Sequence, residues 1–214
     1  MSILMRAPEE CASWAWELDE FASPGLESAL TTAARMSAVL REHGLLEPGS
    51  LEWDWFASGV GGLGVHTRLS LAGKSIYDAD LAQRVLQCRP AGFPDAEVSD
   101  ILVSGSGTWL DADGKHRRES RLVELTVSPD PIGLSAEVAV FHDIWGEFDF
   151  RGQPHPDVKK RNAPRLAASL QALDSLLGVA AEPGEPTYFG RAEGYGIQVP
   201  DVLDGRGPDL TDLL

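Results

Sequence analysis

The apolar residues of this chain change their spacing along the sequence, and the order of these spacings restricts the folds open to it. Apolar residues at three- and four-residue steps predict a helix over Leu26–His43, and alternation with period two predicts strands at 51–56 and 65–71. A shorter helical pattern covers Asp78–Cys88. A leucine stripe predicts a last helix that is capped by Asn162 and stopped by Gly178.

The segment between the second and third helical patterns is rich in strand signals. Strand-like sequences cover Ile101–Leu110, His116–Val127 and Leu134–His142, and Ile144–Phe150 is a further candidate strand. Strands joined by short turns pair antiparallel. The sequence therefore predicts an α+β fold, with an antiparallel sheet of about five to six strands and two to three helices packed on one face.

The pattern also bears on domain organisation. Because no linker-like stretch divides the middle of the chain, we expect residues 1–214 to form a single α+β domain. Residues 1–24 are an N-terminal arm or a short helix, two alternatives that the pattern leaves open. Residues 182–214 are rich in Gly and Pro and predict an irregular C-terminal arm, in which residues 195–199 form a short strand or a docked segment.

The chain is strongly acidic. Its 214 residues include 33 Asp and Glu against 18 Lys and Arg, a formal net charge of −15. Phosphate backbones and anionic lipids repel such a surface, so we expect neither nucleic-acid nor membrane binding. With no secretory signal pattern, the expected location is the cytoplasm. Cys11 and Cys88 lie in no C-x-x-C pair and are predicted to be two buried or idle thiols, with a disulfide between them as the open alternative; we expect no metal and no cofactor.

Acid-flanked tryptophans are the feature that points to a partner. Tryptophan supplies anchoring area in protein interfaces, and carboxylates steer a basic protein towards them. We therefore predict a surface that docks a basic protein. The competing interpretation places the indoles in the core and the acids in a solvated coat. The candidate partner-binding residues are Trp14, Trp16, Glu17, Asp19, Trp145, Glu147 and Asp149.

A second hypothesis is enzymatic. His142, Asp143, Glu147 and His155 surround an aromatic stretch, and a fold that joined them in a cleft would create a carboxylate–imidazole site of a small hydrolase or transferase. No G-x-S-x-G or H-E-x-x-H motif supports it. A third hypothesis is a structural or assembly subunit that pairs through a sheet edge. The oligomeric state stays open.

Two resemblances add to these hypotheses. The segment Asp157–Leu166, the leucine-rich helix after it and Pro186–Gly190 resemble the C-terminal part of uncharacterised bacterial proteins, over about the last quarter of the chain. The acidic single-domain α+β layout also resembles the immunity proteins that neutralise polymorphic bacterial toxins. The second resemblance implies a cytoplasmic protein that occludes a toxin, and it transfers no named residues.

Overall fold

The computed structural model describes residues 4–19, 22–130, 133–198 and 202–214. The predictions made for residues 1–3, 20–21 and Val199 concern positions outside these described residues. The helices are α1 (Leu26–Glu42), α2 (Leu81–Gln87) and α3 (Pro156–Leu177). The strands are β1 (Ala12–Glu17), β2 (Glu47–Ala57), β3 (Gly61–Ser70), β4 (Glu97–Val98), β5 (Ile101–Leu110), β6 (His116–Ser120), β7 (Glu124–Ser128), β8 (Ser135–Val140), β9 (Glu182–Pro183), β10 (Arg191–Glu193) and β11 (Gly196–Gln198).

One large antiparallel sheet dominates the fold. Within the described residues, nine strands form it, with the path β3-β2-β5-β7-β8-β1-β9, β4 beside β2 and β6 beside β5. Strands β10 and β11 form a separate hairpin. The predicted α+β class is confirmed, and the sheet is larger than expected. It is larger because β1 and β9, which lie in the predicted terminal arms, join its edge, the short β4 pairs with β2, and the predicted strand His116–Val127 is split into β6 and β7.

The first strand lies in the segment for which an arm or a short helix was expected. Residues Ala12–Glu17 are extended and pair with β8 along their whole length. Trp14 and Trp16 are buried, whereas Ala15 and Glu17 are not. This alternation with period two is typical of a strand with one buried face.

Two strand predictions need correction. The predicted strand His116–Val127 is split into β6 and β7 around Arg121, whose φ is 52°. That left-handed conformation is incompatible with a continuous strand. The candidate strand Ile144–Phe150 is absent, and a 3-10 turn occupies Asp143–Trp145.

Helix α3 begins at Pro156 rather than at Asn162, so the predicted cap is wrong. Proline is favoured at the first helical position, and Pro156 takes that role. The Asn162 side chain is fully buried, and its amide bonds to the backbone of Leu110 at the end of β5. Gly178 ends the helix in the left-handed conformation, with φ 75°, as the sequence predicts.

The main core lies between the sheet and the helices α1 and α3, which contact each other and the central strands. Five tryptophans are among its largest buried side chains, and Trp53 and Trp55 meet edge to face with ring centroids 6.1 Å apart. Edge-to-face pairs of this kind add to the gain from burial alone. The two cysteines are free thiols, Cys11 buried and Cys88 exposed.

Candidate functional site

The acid-flanked indoles predicted to face a partner are inside the protein. Trp14 and Trp145 are each 1% exposed, and Trp16 is 0% exposed. The Trp14 indole N–H donates to the carbonyl of Gly194 at 2.7 Å, and that of Trp16 donates to Asp174 Oδ1 at 2.7 Å. The expectation that these indoles are exposed is therefore wrong, because buried rings cannot supply contact area to another protein.

The four acidic residues among the candidate partner-binding residues are not buried as the indoles are. Glu17 and Asp19 are exposed at the end of β1 and just after it. Glu147 is exposed and forms an ion pair with Lys159 at 3.5 Å. Asp149 Oδ1 accepts the backbone N–H groups of Arg151 and Gln153, which makes it a turn-forming residue. Their role towards a partner stays a prediction.

The four residues of the enzymatic hypothesis are only partly brought together. His142 and Asp143 are 2% and 3% exposed and line one small cavity. The other two do not line it, since His155 Nε2 lies 3.1 Å from the Gly146 carbonyl and Glu147 points to Lys159. The remaining lining residues are Cys11, Gly146, Phe148, Asp149, Phe150, Phe189, Ile197, Pro208 and Leu210.

Burial perturbs both titratable groups of this cavity. Desolvation raises the pKa of Asp143 to about 7, an effect that the backbone N–H of Met5 partly opposes. Desolvation also lowers the pKa of His142 to about 4, assisted by the positive charge of Arg6. Asp143 Oδ2 and His142 Nδ1 have no hydrogen-bond partner among the described residues. These buried polar atoms are costly to the fold.

This cavity does not suit substrate chemistry. Its volume is about 10 Å³, room for no more than one water molecule. Burial raises the pKa of the Cys11 thiol, and the nearby Asp143 raises it further, so the nucleophilic thiolate is suppressed. Within the described residues, no three His, Cys, Asp or Glu side chains are placed to hold a metal ion.

A different site emerges on the sheet face opposite the buried tryptophans. Residues paired across neighbouring strands lie on the same face. Ala15 pairs with Glu137 on one side and with Glu182 on the other, so both carboxylates share its face. Glu17 lies there too, opposite Ser135.

Two further carboxylates join this group from loops. Glu10 accepts a hydrogen bond from Ser13 Oγ at 2.9 Å, and Asp100 accepts one from Ser128 Oγ. Both are close enough to act electrostatically on Glu137. The acidic face is defined here by Glu10, Glu17, Asp100, Glu137 and Glu182.

The acidic face is electrostatically unbalanced. Among the described residues, none of its five carboxylates forms an ion pair with a Lys, Arg or His side chain. The pKa of Glu137 is raised, first by desolvation and then by repulsion from Glu10 and Asp100. The neighbouring side chains Ala15, Thr126 and Ser135 are small and partly exposed.

The other half of the same face has the opposite character. Glu124 lies 2.8 Å from both Arg6 and Arg121, and Glu52 lies 3.5 Å from Arg68 and 3.8 Å from Arg121. These ion pairs balance the charges of Glu52 on β2 and Glu124 on β7.

Of the acidic face, Glu17 was predicted from the sequence, whereas Glu10, Asp100, Glu137 and Glu182 were not. The signal for Glu137 was present in the alternation Ser135-Ala136-Glu137-Val138, which places Glu137 on the polar face of a strand. The sequence could not predict that Glu137 lies on the same face as Glu17, because the pairing of β1 with β8 joins segments more than a hundred residues apart.

Comparison of the chain with protein-family models, with curated proteins and with solved structures finds no match. The described part of the chain also contains no helix with the length and apolar character needed to cross a bilayer.

Proposed function

We propose that this protein is a protein-binding module of the immunity type, which neutralises a basic protein such as a bacterial toxin by holding it on the acidic face. One observation carries the proposal: five carboxylates gather on one face, and within the described ranges none of them forms an ion pair with a Lys, Arg or His side chain. Gathering like charges costs free energy, and a partner that brings Lys or Arg recovers it.

The net charge of the chain also supports a basic partner. At −15, the protein attracts a basic partner over distances comparable to the Debye length, about 8 Å at physiological salt. The acidic face then provides the local match. The Arg or Lys stems of the partner would lie on Ala15 and Thr126, with their charged ends at Glu137 and Glu182.

The binding test compares two variants with equal charge. The face variant combines Glu17→Gln, Glu137→Gln and Glu182→Gln, and the control combines Glu42→Gln, Asp80→Asn and Asp95→Asn at exposed acids elsewhere. Proteins captured from the native cells are identified by mass spectrometry, and the recovered partner is then purified. At low salt, we expect the face variant to bind it about 10- to 100-fold more weakly than the control, since each lost contact contributes up to about 1 kcal/mol.

The salt dependence provides the second readout. We expect the partner to be basic and its affinity for the wild-type protein to fall as salt rises. Equal affinities of the face variant and the control, or an acidic partner whose binding ignores salt, would overturn the proposal.

A further inference from the structure

A surface groove lies where the start of α1, the end of α2, strand β4 and the residue after β7 come together. Its volume is about 420 Å³. Binding sites for small molecules are typically clefts of about 300 to 1,000 Å³, with mostly apolar walls and a few polar groups that orient the ligand. This groove therefore has the size of a small-molecule site, in contrast to the one-water cavity beside Asp143.

The walls of the groove are mainly apolar. Five of its eight lining residues have apolar side chains, namely Pro24, Leu26, Leu86, Val98 and Pro129. Leu26 and Val98 pack against the main core, which holds these walls in position. Leu86 is 42% exposed in the free protein. An apolar group bound in the groove removes this side chain from water, and that burial favours binding.

Two opposite charges also line the groove, those of Arg89 and Glu97. They do not pair with each other, and among the described residues neither forms an ion pair with another side chain. Arg89 Nη1 donates to the carbonyl of Pro94 at 2.8 Å, which restrains the guanidinium. The group has five N–H donors, so others remain for a carboxylate. The carboxylate of Glu97 can accept hydrogen bonds from an ammonium.

A zwitterion with an apolar side chain matches all of these features. Its carboxylate meets Arg89, its ammonium meets Glu97, and its apolar part lies against Leu86 and Val98. Glu97 and the net charge of −15 would both repel an apolar anion, and Arg89 would repel an apolar cation. A zwitterion is neutral overall, so the net charge of the chain does not repel it.

We propose that this groove binds a small zwitterion with an apolar side chain, the chemistry shared by free apolar amino acids and short apolar peptides. None of the lining residues belongs to the acidic face. Binding in the groove also requires no protein partner. The proposal is therefore independent of the proposed function, and either can fail without the other.

Isothermal titration calorimetry with L-phenylalanine and with the dipeptide L-leucyl-L-phenylalanine tests the proposal and distinguishes the two sources. We expect at least one of them to bind with a Kd of about 0.1 to 1 mM, a typical affinity for ligands of this size. The N-acetylated form of the bound probe lacks the ammonium, and the C-amidated form lacks the carboxylate. Each is expected to bind at least about fivefold more weakly. Absence of binding by both zwitterions at about 10 mM, or a smaller loss for either derivative, would overturn the proposal.

Exchanging the two charges for amides shows which group reads which end of the ligand. Arg89→Gln should abolish the preference for the free carboxylate over the amide, and Glu97→Gln should abolish the preference for the free ammonium over its acetylated form. Lys160→Gln and Glu185→Gln, at exposed charges outside the groove, are the matched controls and should keep both preferences. Leu86→Gln alters only an exposed wall residue and should weaken binding several-fold, which keeps a test available if Arg89→Gln does not fold. Wild-type preferences in both charge variants, or unchanged affinity in Leu86→Gln, would contradict the proposed site.

Discussion

At pH 8, we expect the Asp143→Asn variant to be more stable than the wild-type protein by about 4 kcal/mol in the free energy of unfolding. The unfolded Asp143 carboxyl titrates at its ordinary pKa of 3.8, whereas burial raises the folded value to about 7. Because the folded state holds the proton more tightly, stability is lost as the pH rises from about 4 to 7, by about 1.4 kcal/mol for each pH step. Asparagine keeps the acceptor for the Met5 N–H and removes the buried charge.

Over the same pH range, His142 changes the free energy of unfolding in the direction opposite to that of Asp143. Its pKa falls from 6.5 in the unfolded chain to about 4 in the folded protein, so its contribution is complete above pH 6.5 and lost as the pH falls towards 4. Between these values, the unfolded chain carries a proton on His142 and the folded protein carries one on Asp143. The number of bound protons is then nearly equal, and the pair adds almost no pH dependence to the wild-type stability.

Urea unfolding from pH 4 to 8 separates the two contributions. The Asp143→Asn variant should gain about 3 kcal/mol of unfolding free energy between pH 4 and 6.5, because only the His142 effect remains. The His142→Gln variant should lose stability between pH 4 and 7. Glu147→Gln, an exposed acid beside the cluster, controls for the loss of one negative charge. The assignment fails if both variants keep the pH profile of the wild-type protein.

The second large effect concerns Asn162. We expect Asn162→Ala to lower the free energy of unfolding by about 3 kcal/mol, because buried hydrogen-bonding groups are left without partners. The Asn162 amide accepts the Leu110 N–H at 2.9 Å and donates to the Leu110 carbonyl at 2.8 Å and to the Val158 carbonyl at 2.9 Å. It thereby replaces a strand partner at the end of β5.

Equilibrium urea unfolding at pH 7 measures this loss. Lys160→Ala, an exposed position on the same helix, is the matched control and should change stability by less than about 0.5 kcal/mol. Asn162→Asp keeps the acceptor oxygen but loses the donors, so it is also expected to be destabilising. Equal unfolding midpoints for Asn162→Ala and Lys160→Ala would contradict the role given to this amide.

The local sequence pattern was sufficient to predict helices and strands that have one buried face. The spacing of Leu26, Leu30 and Leu40 predicted α1, and the strand-like sequence at 101–110 predicted β5 with the bounds that the structure has. In the N-terminal segment, Trp14 and Trp16 had the same period-two signal. The acidic residues around these tryptophans led instead to the prediction of a partner-binding surface. In a half-buried strand, however, the outward-facing residues are expected to be polar.

Long-range pairing was beyond the reach of these patterns. Nothing local shows that β1 lies beside β8, and this contact both enlarges the sheet and assembles the acidic face. Asn162 was misread for a related reason. An Asn before Ala-Pro is typical of a helix cap. Its burial depends on β5 lying against α3, a contact across about fifty residues of chain.

Zero-length cross-linking between the protein and its purified basic partner tests the acidic face most directly. A carbodiimide joins a carboxylate only to an amine in contact with it, and mass spectrometry identifies the joined residues. We expect links from the partner's lysines to Glu17, Glu137, Glu182 or the other carboxylates of the acidic face. Links confined to acids elsewhere, such as Glu42, Asp95 and Glu147, would contradict this expectation.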